Sequence, residues 1–200
     1  MAARGVDATS LSAIADEVGI RKASILYHFP NKDALRQAVL DELLSRWAEV
    51  LPRLFMATTR DGVARFDAVM GEMVSFFAED RDRARLLVRE QMDRPDELNG
   101  YLRQTVRPWI DMIAGTIRDG QQRGMIRKDV DPEAYVLTVV NMSLATFAGV
   151  THAEALMTLE PEGADEPTRD PEAHRKAVQK RCVDEAIRIA KSALFLSLDK

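Results

Sequence analysis

The chain of 200 residues has a single cysteine, three histidines and only 6% aromatic residues. One cysteine excludes an intrachain disulfide framework. The helical-spacing neighbours of Cys182, namely Val178, Val183 and Ala186, make it read as a small buried apolar residue rather than a nucleophile. The histidines, His28, His152 and His174, stand far apart in sequence. None belongs to a His-Glu-x-x-His zinc motif or to the Glu-x-x-His pair of a di-iron bundle. A Gly-x-Ser-x-Gly elbow and a glycine-rich phosphate loop are also missing, so the chain reads as a non-enzyme with no metal and no cofactor. No apolar run reaches the roughly 18 residues of a membrane span, and the N-terminus has no apolar signal segment. A cytoplasmic protein with no membrane partner is expected. Positive charge is not in excess either: the net charge is −4, whereas nonspecific nucleic-acid binders are usually basic.

What is present is a globular composition, 46% hydrophobic and 30% charged, with helical periodicity almost throughout and no sustained strand alternation. The most informative stretch is residues 9–35, TSLSAIADEVGIRKASILYHFPNKDAL. Thr9 is placed to cap a first helix, on which Leu11, Ile14, Ala15 and Val18 form one apolar stripe. Gly19 supplies the left-handed exit. A second helix of about two turns runs from Arg21 to Phe29, burying Ile25 and Phe29 while Lys22, Ser24, Tyr27 and His28 project elsewhere. Those side chains donate to phosphates and base edges. Pro30 ends this helix and Asn31 caps the next. Lys32 then lies in a first turn, where free amides and the helix dipole favour an anion.

Ile14-Ala15, Gly19, Ala23-Ser24, Tyr27-His28-Phe29 and Asn31-Lys32 together resemble the helix-turn-helix of the TetR family of one-component transcriptional regulators. The resemblance implies that the helix after the glycine turn enters the major groove and that Tyr27, His28 and Lys32 hold phosphates. Thr9, Arg21, Lys22 and Ser24 complete the expected DNA-binding set. Two positions depart from the pattern. Arg21 stands where the family usually has a capping serine, and Leu26 stands where a tyrosine is common, either touching a thymine methyl or packing. The family also carries a full amphipathic helix before this motif, of which Met-Ala-Ala-Arg-Gly resembles only the last turn. Either the natural product is longer or the reading head is weakened. Residues 1–37 set five basic side chains (Arg4, Arg21, Lys22, Lys32, Arg36) against four acidic ones (Asp7, Asp16, Glu17, Asp33). Binding then depends on focused contacts from two heads rather than on a basic field.

Beyond the head, one helix is expected from Lys32 to about Val50, stopped or kinked near Pro52, with Leu35, Val39, Leu43 and Trp47 facing a core. Another follows Asp61, a short one covers Arg81 to Met92, and a long one runs from Pro95 to Gly124 with a kink at Pro108. The tetrapeptide Asp-Pro-Glu-Ala occurs at 131–134 and at 170–173. Each copy opens a helix with an N-cap aspartate and a first-turn proline, and the two helices are expected to reach about Leu159 and Leu198. Glu160 to Arg169 reads as a loop. The resulting expectation is an all-α chain: residues 1–50 form a helix-turn-helix DNA-binding domain, truncated at its start, and residues 51–200 form a helical effector-binding and dimerisation domain.

The resemblance further implies that the last two long helices pair with a second chain. Val139, Ser143, Val183, Ile187, Ala190 and Leu194 are the candidate interface; the alternative is that these stripes bury only against the chain's own core. A homodimer would set two heads about one DNA turn apart, roughly 34 to 36 Å, on a palindromic double-stranded operator. Phe66, Met70, Met73, Phe77, Trp109, Met112, Thr116, Asn141, Met142 and Phe147 have the adaptable apolar character of an effector pocket, although an ordinary helical core uses the same residues. The expected function is a ligand-responsive DNA-binding transcriptional regulator, a repressor released from its operator by a small hydrophobic or amphipathic molecule. The alternative is a TetR-like ligand-responsive interaction protein without independent DNA binding.

Overall fold

A computed structural model describes residues 5, 8–58, 60, 62–157 and 170–196. Ten helices follow one another: α1 Leu11–Val18, α2 Lys22–His28, α3 Lys32–Thr58, α4 Gly62–Glu79, α5 Arg81–Asp93, α6 Pro95–Thr105, α7 Arg107–Gln122, α8 Pro132–Ala148, α9 Val150–Leu156 and α10 Pro171–Leu194. Among the described residues the only extended pairing is an isolated antiparallel bridge between Ile126 and Phe195. The expected acidic loop at 160–169 lies outside the described residues.

Local capping chemistry sets several of the helix ends. Asp131 accepts a hydrogen bond from the Ala134 amide at 2.8 Å, Asp170 from the Glu172 amide at 2.9 Å, and Asn31 from the Ala34 amide at 2.8 Å. Gly19 leaves α1 with φ 73°, a left-handed turn that costs a side-chain-bearing residue strain. The cap of α1 is Ser10, not Thr9. Ser10 has the extended backbone of a cap residue and accepts from the Ala13 amide at 3.0 Å. Thr9, one residue too early to reach that amide, donates to the Gly5 carbonyl at 2.7 Å instead.

Four helix boundaries differ from those expected. Helix α3 runs unbroken through Pro52, because the carbonyl that proline leaves without a partner belongs to exposed Ala48 and is free to face water. The expected long helix from Pro95 divides at Val106. Pro108 cannot donate to Gln104 and crowds its carbonyl, so α6 stops and α7 starts anew. The helix opened by Asp131 stops at Gly149 and turns by 67° into α9. The helix opened by Asp170 ends at Leu194, where Phe195 becomes extended to meet Ile126 and the Arg127 amide donates to the Leu194 carbonyl at 3.1 Å.

The core lies in the body. Trp47 from α3, Phe76 from α4 and Trp109 from α7 meet edge to face, with centroids 5.0 and 5.5 Å apart. Helix α8 runs through the middle, packed on α4, α5, α7 and α10. The inward stripe of α3 is Arg36, Leu40, Leu43, Leu44, Trp47, Val50 and Leu54. Leu35 and Val39, expected to face the core, are half-buried and exposed respectively, because an ion pair at Arg36 sets the rotation of the helix. The head is thin by comparison, with Ala15 and Ile25 as the buried residues of α1 and α2. Val18, expected on the buried stripe, remains 64% exposed because no described segment covers that end of α1, and Phe29 is only half-buried.

Candidate functional site

Helix α2 touches the rest of the chain through Ile25 and offers its remaining circumference to solvent. Arg21, Lys22, Ser24, Leu26, Tyr27 and His28 are all exposed, Tyr27 at 85%, and the Tyr27 and His28 rings meet edge to face at 5.0 Å. A helix bare on most of its surface fits a B-DNA major groove, which is about 12 Å wide. Lys32 is half-buried in the first turn of α3, beside the Asn31 cap. The structure therefore gathers Lys22, Ser24, Tyr27 and His28 on one exposed helix, with Arg21 at its cap and Lys32 at the start of the next. The Thr9 hydroxyl is turned back to Gly5.

A buried ion-pair network, absent from the sequence-based expectations, joins this head to the body. Arg36 is 3% exposed and contacts Glu90 of α5 at 2.5 Å, Glu97 of α6, and, more loosely, Asp33 at 4.0 Å. Arg94 closes the ring, 3.1 Å from Asp33 and 3.5 Å from Glu97. Gln37 adds a hydrogen bond to the Tyr101 hydroxyl of α6. Burial works against the guanidinium charge of Arg36, but the bonds and fields of Glu97 and Glu90 outweigh it and hold its pKa above the ordinary value. The hydrogen bond from Arg36 in turn holds the Glu97 carboxyl below the ordinary carboxylate value. The available signal was a charge on each apolar stripe: Arg36 four residues before Leu40, and Glu90 three after Leu87.

Behind the network lie two cavities. The larger, about 430 Å³, has a floor of Leu43, Leu44, Trp47, Phe76, Trp109 and Ile110, and its mouth carries Gln91, Asn99, Arg103, Arg107 and Asn141. The smaller, about 100 Å³, lies among α4, α7, α8 and the end of α10, with Phe66, Met70 and Thr116 in its wall. Met73, Trp109 and Val140 line both. Tyr135, also in the smaller wall, donates to the Ala190 carbonyl at 2.8 Å, and burial pushes its phenol pKa upward. Of the residues expected to contact an effector, Met73, Phe77, Trp109 and Asn141 line the larger cavity, and Phe66, Met70 and Thr116 the smaller. Three are elsewhere. Met112 is packed half-buried against the core, Phe147 is a core residue stacked near Phe77 at 5.7 Å, and Met142 faces an outer cleft between α8 and α10.

The expected interface residues also move. Val139, Ser143, Ala190 and Leu194 are each less than a tenth exposed within the single chain, and the Ser143 hydroxyl is used by the Val139 carbonyl at 2.9 Å. Val183 and Ile187 are half-buried against the same core. Four of the six thus face the chain's own interior, while Val183 and Ile187 keep part of their surface outside it. The outward faces carry Met142, Cys182 and Ile189, with the Cys182 sulfur 3.4 Å from that of Met157. Cys182 is thus half-buried rather than a core residue. His28 and His152 are exposed and His174 is half-buried; among the described residues no group of three metal-ligating side chains assembles. No single described helix is long and apolar enough to cross a membrane.

Comparison with known proteins agrees with this architecture. Residues 1–39 match the family model for bacterial regulatory proteins of the tetR family, and residues 63–178 match that for the tetracyclin repressor-like C-terminal domain. The chain belongs to the TetR family of transcriptional regulators. The HTH-type transcriptional regulator RutR of Escherichia coli is 28% identical over 167 residues, which span 79% of this chain and 74% of RutR. The solved structure of the ketosteroid transcriptional regulator KstR2 of Mycobacterium tuberculosis superposes with a TM-score of 0.62 at 17% identity, covering 98% of this chain and 89% of that one. AibR, solved with isovaleryl coenzyme A and operator DNA, gives a TM-score of 0.61 at 16% identity, covering 94% and 90% of the two chains. The relatives are transcriptional regulators rather than enzymes.

Proposed function

We propose that this chain is a repressor that holds a palindromic operator as a homodimer and releases it when a small hydrophobic or amphipathic molecule fills the larger cavity. The observation that carries this reading is the double use of α5 and α6. Glu90 and Glu97, which hold Arg36, are sequence neighbours of Gln91 and Leu98, which line the cavity. A ligand that displaces α6 also moves Glu97. Arg36, whose charge is shared between Glu97 and the buried Glu90, then shifts towards Glu90, the partner that stays in place. The start of α3 then carries the head off its register on DNA. Reciprocity requires operator DNA to weaken ligand binding by the same factor, typically about 1 to 3 kcal/mol of coupling. The repressing sense is supported by a relative from Rhodococcus jostii, 27% identical over 146 residues, that is itself a transcriptional repressor. The outward faces of α8 and α10, with Met142 and Ile189 at their cleft, are the surfaces for the second copy.

Fluorescence anisotropy with DNA from the chain's own upstream region tests the reading. Tyr27→Ala and Lys32→Ala should weaken binding to all sequences alike, and Lys32→Ala should reduce the salt slope by about 1, the signature of a lost phosphate contact. Unchanged affinity in both variants would remove these residues from the interface. Absence of DNA binding by the parent chain would favour a ligand-responsive interaction protein.

A further inference from the structure

The larger cavity is apolar below and one-sidedly charged above. The two ionisable side chains in its lining, Arg103 of α6 and Arg107 of α7, are both arginines, and no carboxylate lines it. Arg107 is already neutralised, 2.7 Å from Asp111 and 3.1 Å from Glu133, and Arg118 at 2.8 Å from Glu133 leaves that cluster of two cations and two anions without net charge. Arg103 has no carboxylate within 4.0 Å among the described residues. It is exposed at the mouth beside the neutral donors Asn99, Gln91 and Asn141. A cavity of about 430 Å³ with aromatic walls accepts a drug-sized apolar body rather than water alone. An unspent guanidinium at its rim selects the end group, because arginine pairs with carboxylates in a two-pronged geometry that an alcohol or an amine cannot match.

We infer that the effector is an elongated apolar molecule ending in a carboxylate, its body among Trp47, Phe76 and Trp109 and its anionic end on Arg103. This rests on the proposed role of the larger cavity as the effector site. It adds the charge of the ligand and the residue that reads it. The rim position also has a kinetic meaning: a lone cation at an apolar mouth draws in anions and leaves neutral analogues to enter unaided.

The chain's two tryptophans, Trp47 and Trp109, both line this cavity, so intrinsic fluorescence reports its occupancy without DNA. The probes are two matched pairs below their aggregation limits: dodecanoate with dodecan-1-ol, and 4-cyclohexylbutanoate with 4-cyclohexylbutan-1-ol. Saturable binding with the acid of at least one pair about tenfold tighter than its alcohol is expected, the scale of one charge-assisted hydrogen-bonded pair near a surface. Arg103→Gln should abolish that preference, chiefly by weakening the acid, with the thermal midpoint unchanged, since Arg103 supports no other described group. Arg103→Lys should restore only part of it. Equal binding of acid and alcohol by the parent chain, or an acid preference that survives in Arg103→Gln, would overturn the inference and leave the cavity as the effector site. No saturable signal from any probe would overturn both.

Discussion

Arg36 joins two parts of the molecule that have different tasks, and it does so at a cost that only its partners offset. Moving a guanidinium and a carboxylate out of water is unfavourable by several kcal/mol each unless geometry and hydrogen bonding are good. Glu90, at 1% exposure, has no solvent to fall back on. Arg36→Met is therefore expected to destabilise the chain by about 3 to 5 kcal/mol, and the double change Arg36→Met with Glu90→Leu to recover most of that loss. Urea unfolding of the two singles and the double closes the cycle; additive losses would show that the pair is not coupled. Glu97 is the exposed side of the same network, and its depressed pKa gives it a pH signature. The stabilisation is complete above the ordinary carboxylate value of 4.5 and disappears as pH falls through the lower folded value. Melting curves should thus show Glu97→Gln less stable than the parent at neutral pH, with the gap closing in acid. A gap that widened in acid would assign the shift to another cause.

At the scale of helices, the ends set by local chemistry were readable. The aspartates at 131 and 170, Asn31 and Gly19 each stop or start a helix through atoms within three residues, and those atoms are written next to one another in the sequence. Ser10 was readable by the same rule, since the side-chain oxygen directly before the first helical residue reaches the third amide. The continuity of α3 across Pro52 and the rotation of that helix were not, because they depend on which side of the helix meets water and on a partner 54 residues away. The same limit applied to the sites. Exposed residues on α2 follow from one helix alone, whereas the cavity wall depends on how six helices meet, which is why Met112, Met142 and Phe147 could be mistaken for it. Helix α7 shows how tight one such meeting is. A Cβ at Gly120 would lie 2.5 Å from Ile126 Cδ1 and 2.9 Å from its Cγ1, whereas one at Gly71 of α4 would meet nothing within 4 Å. Gly120→Ala should cost about 1 to 3 kcal/mol through overpacking. Gly71→Ala should instead gain roughly 0.5 to 1 kcal/mol from helix propensity. Thermal midpoints of the two variants are expected to move in opposite directions; a shared direction would mean that Ile126 yields freely.

Taken whole, the molecule places its packing and its reading surface in different regions. Trp47, Trp109, Phe76, Phe77, Phe147, Met70 and Met73 crowd the centre of the body, whereas α1 and α2 bury little more than Ala15 and Ile25. With a net charge of −4 over the chain and a nearly balanced head, attraction to DNA has to come from a few placed side chains rather than from a general field. In the proposed mechanism, coupling between the regions passes through α3, α5 and α6, which share one buried charge and one cavity wall. The nearly unanchored α2 has a further consequence in evolutionary terms. Of its seven residues only Ile25 is committed to the interior, so six can be exchanged with little effect on folding. If α2 reads the operator as proposed, target preference is thereby free to drift, or to be reprogrammed by a designer, independently of the body.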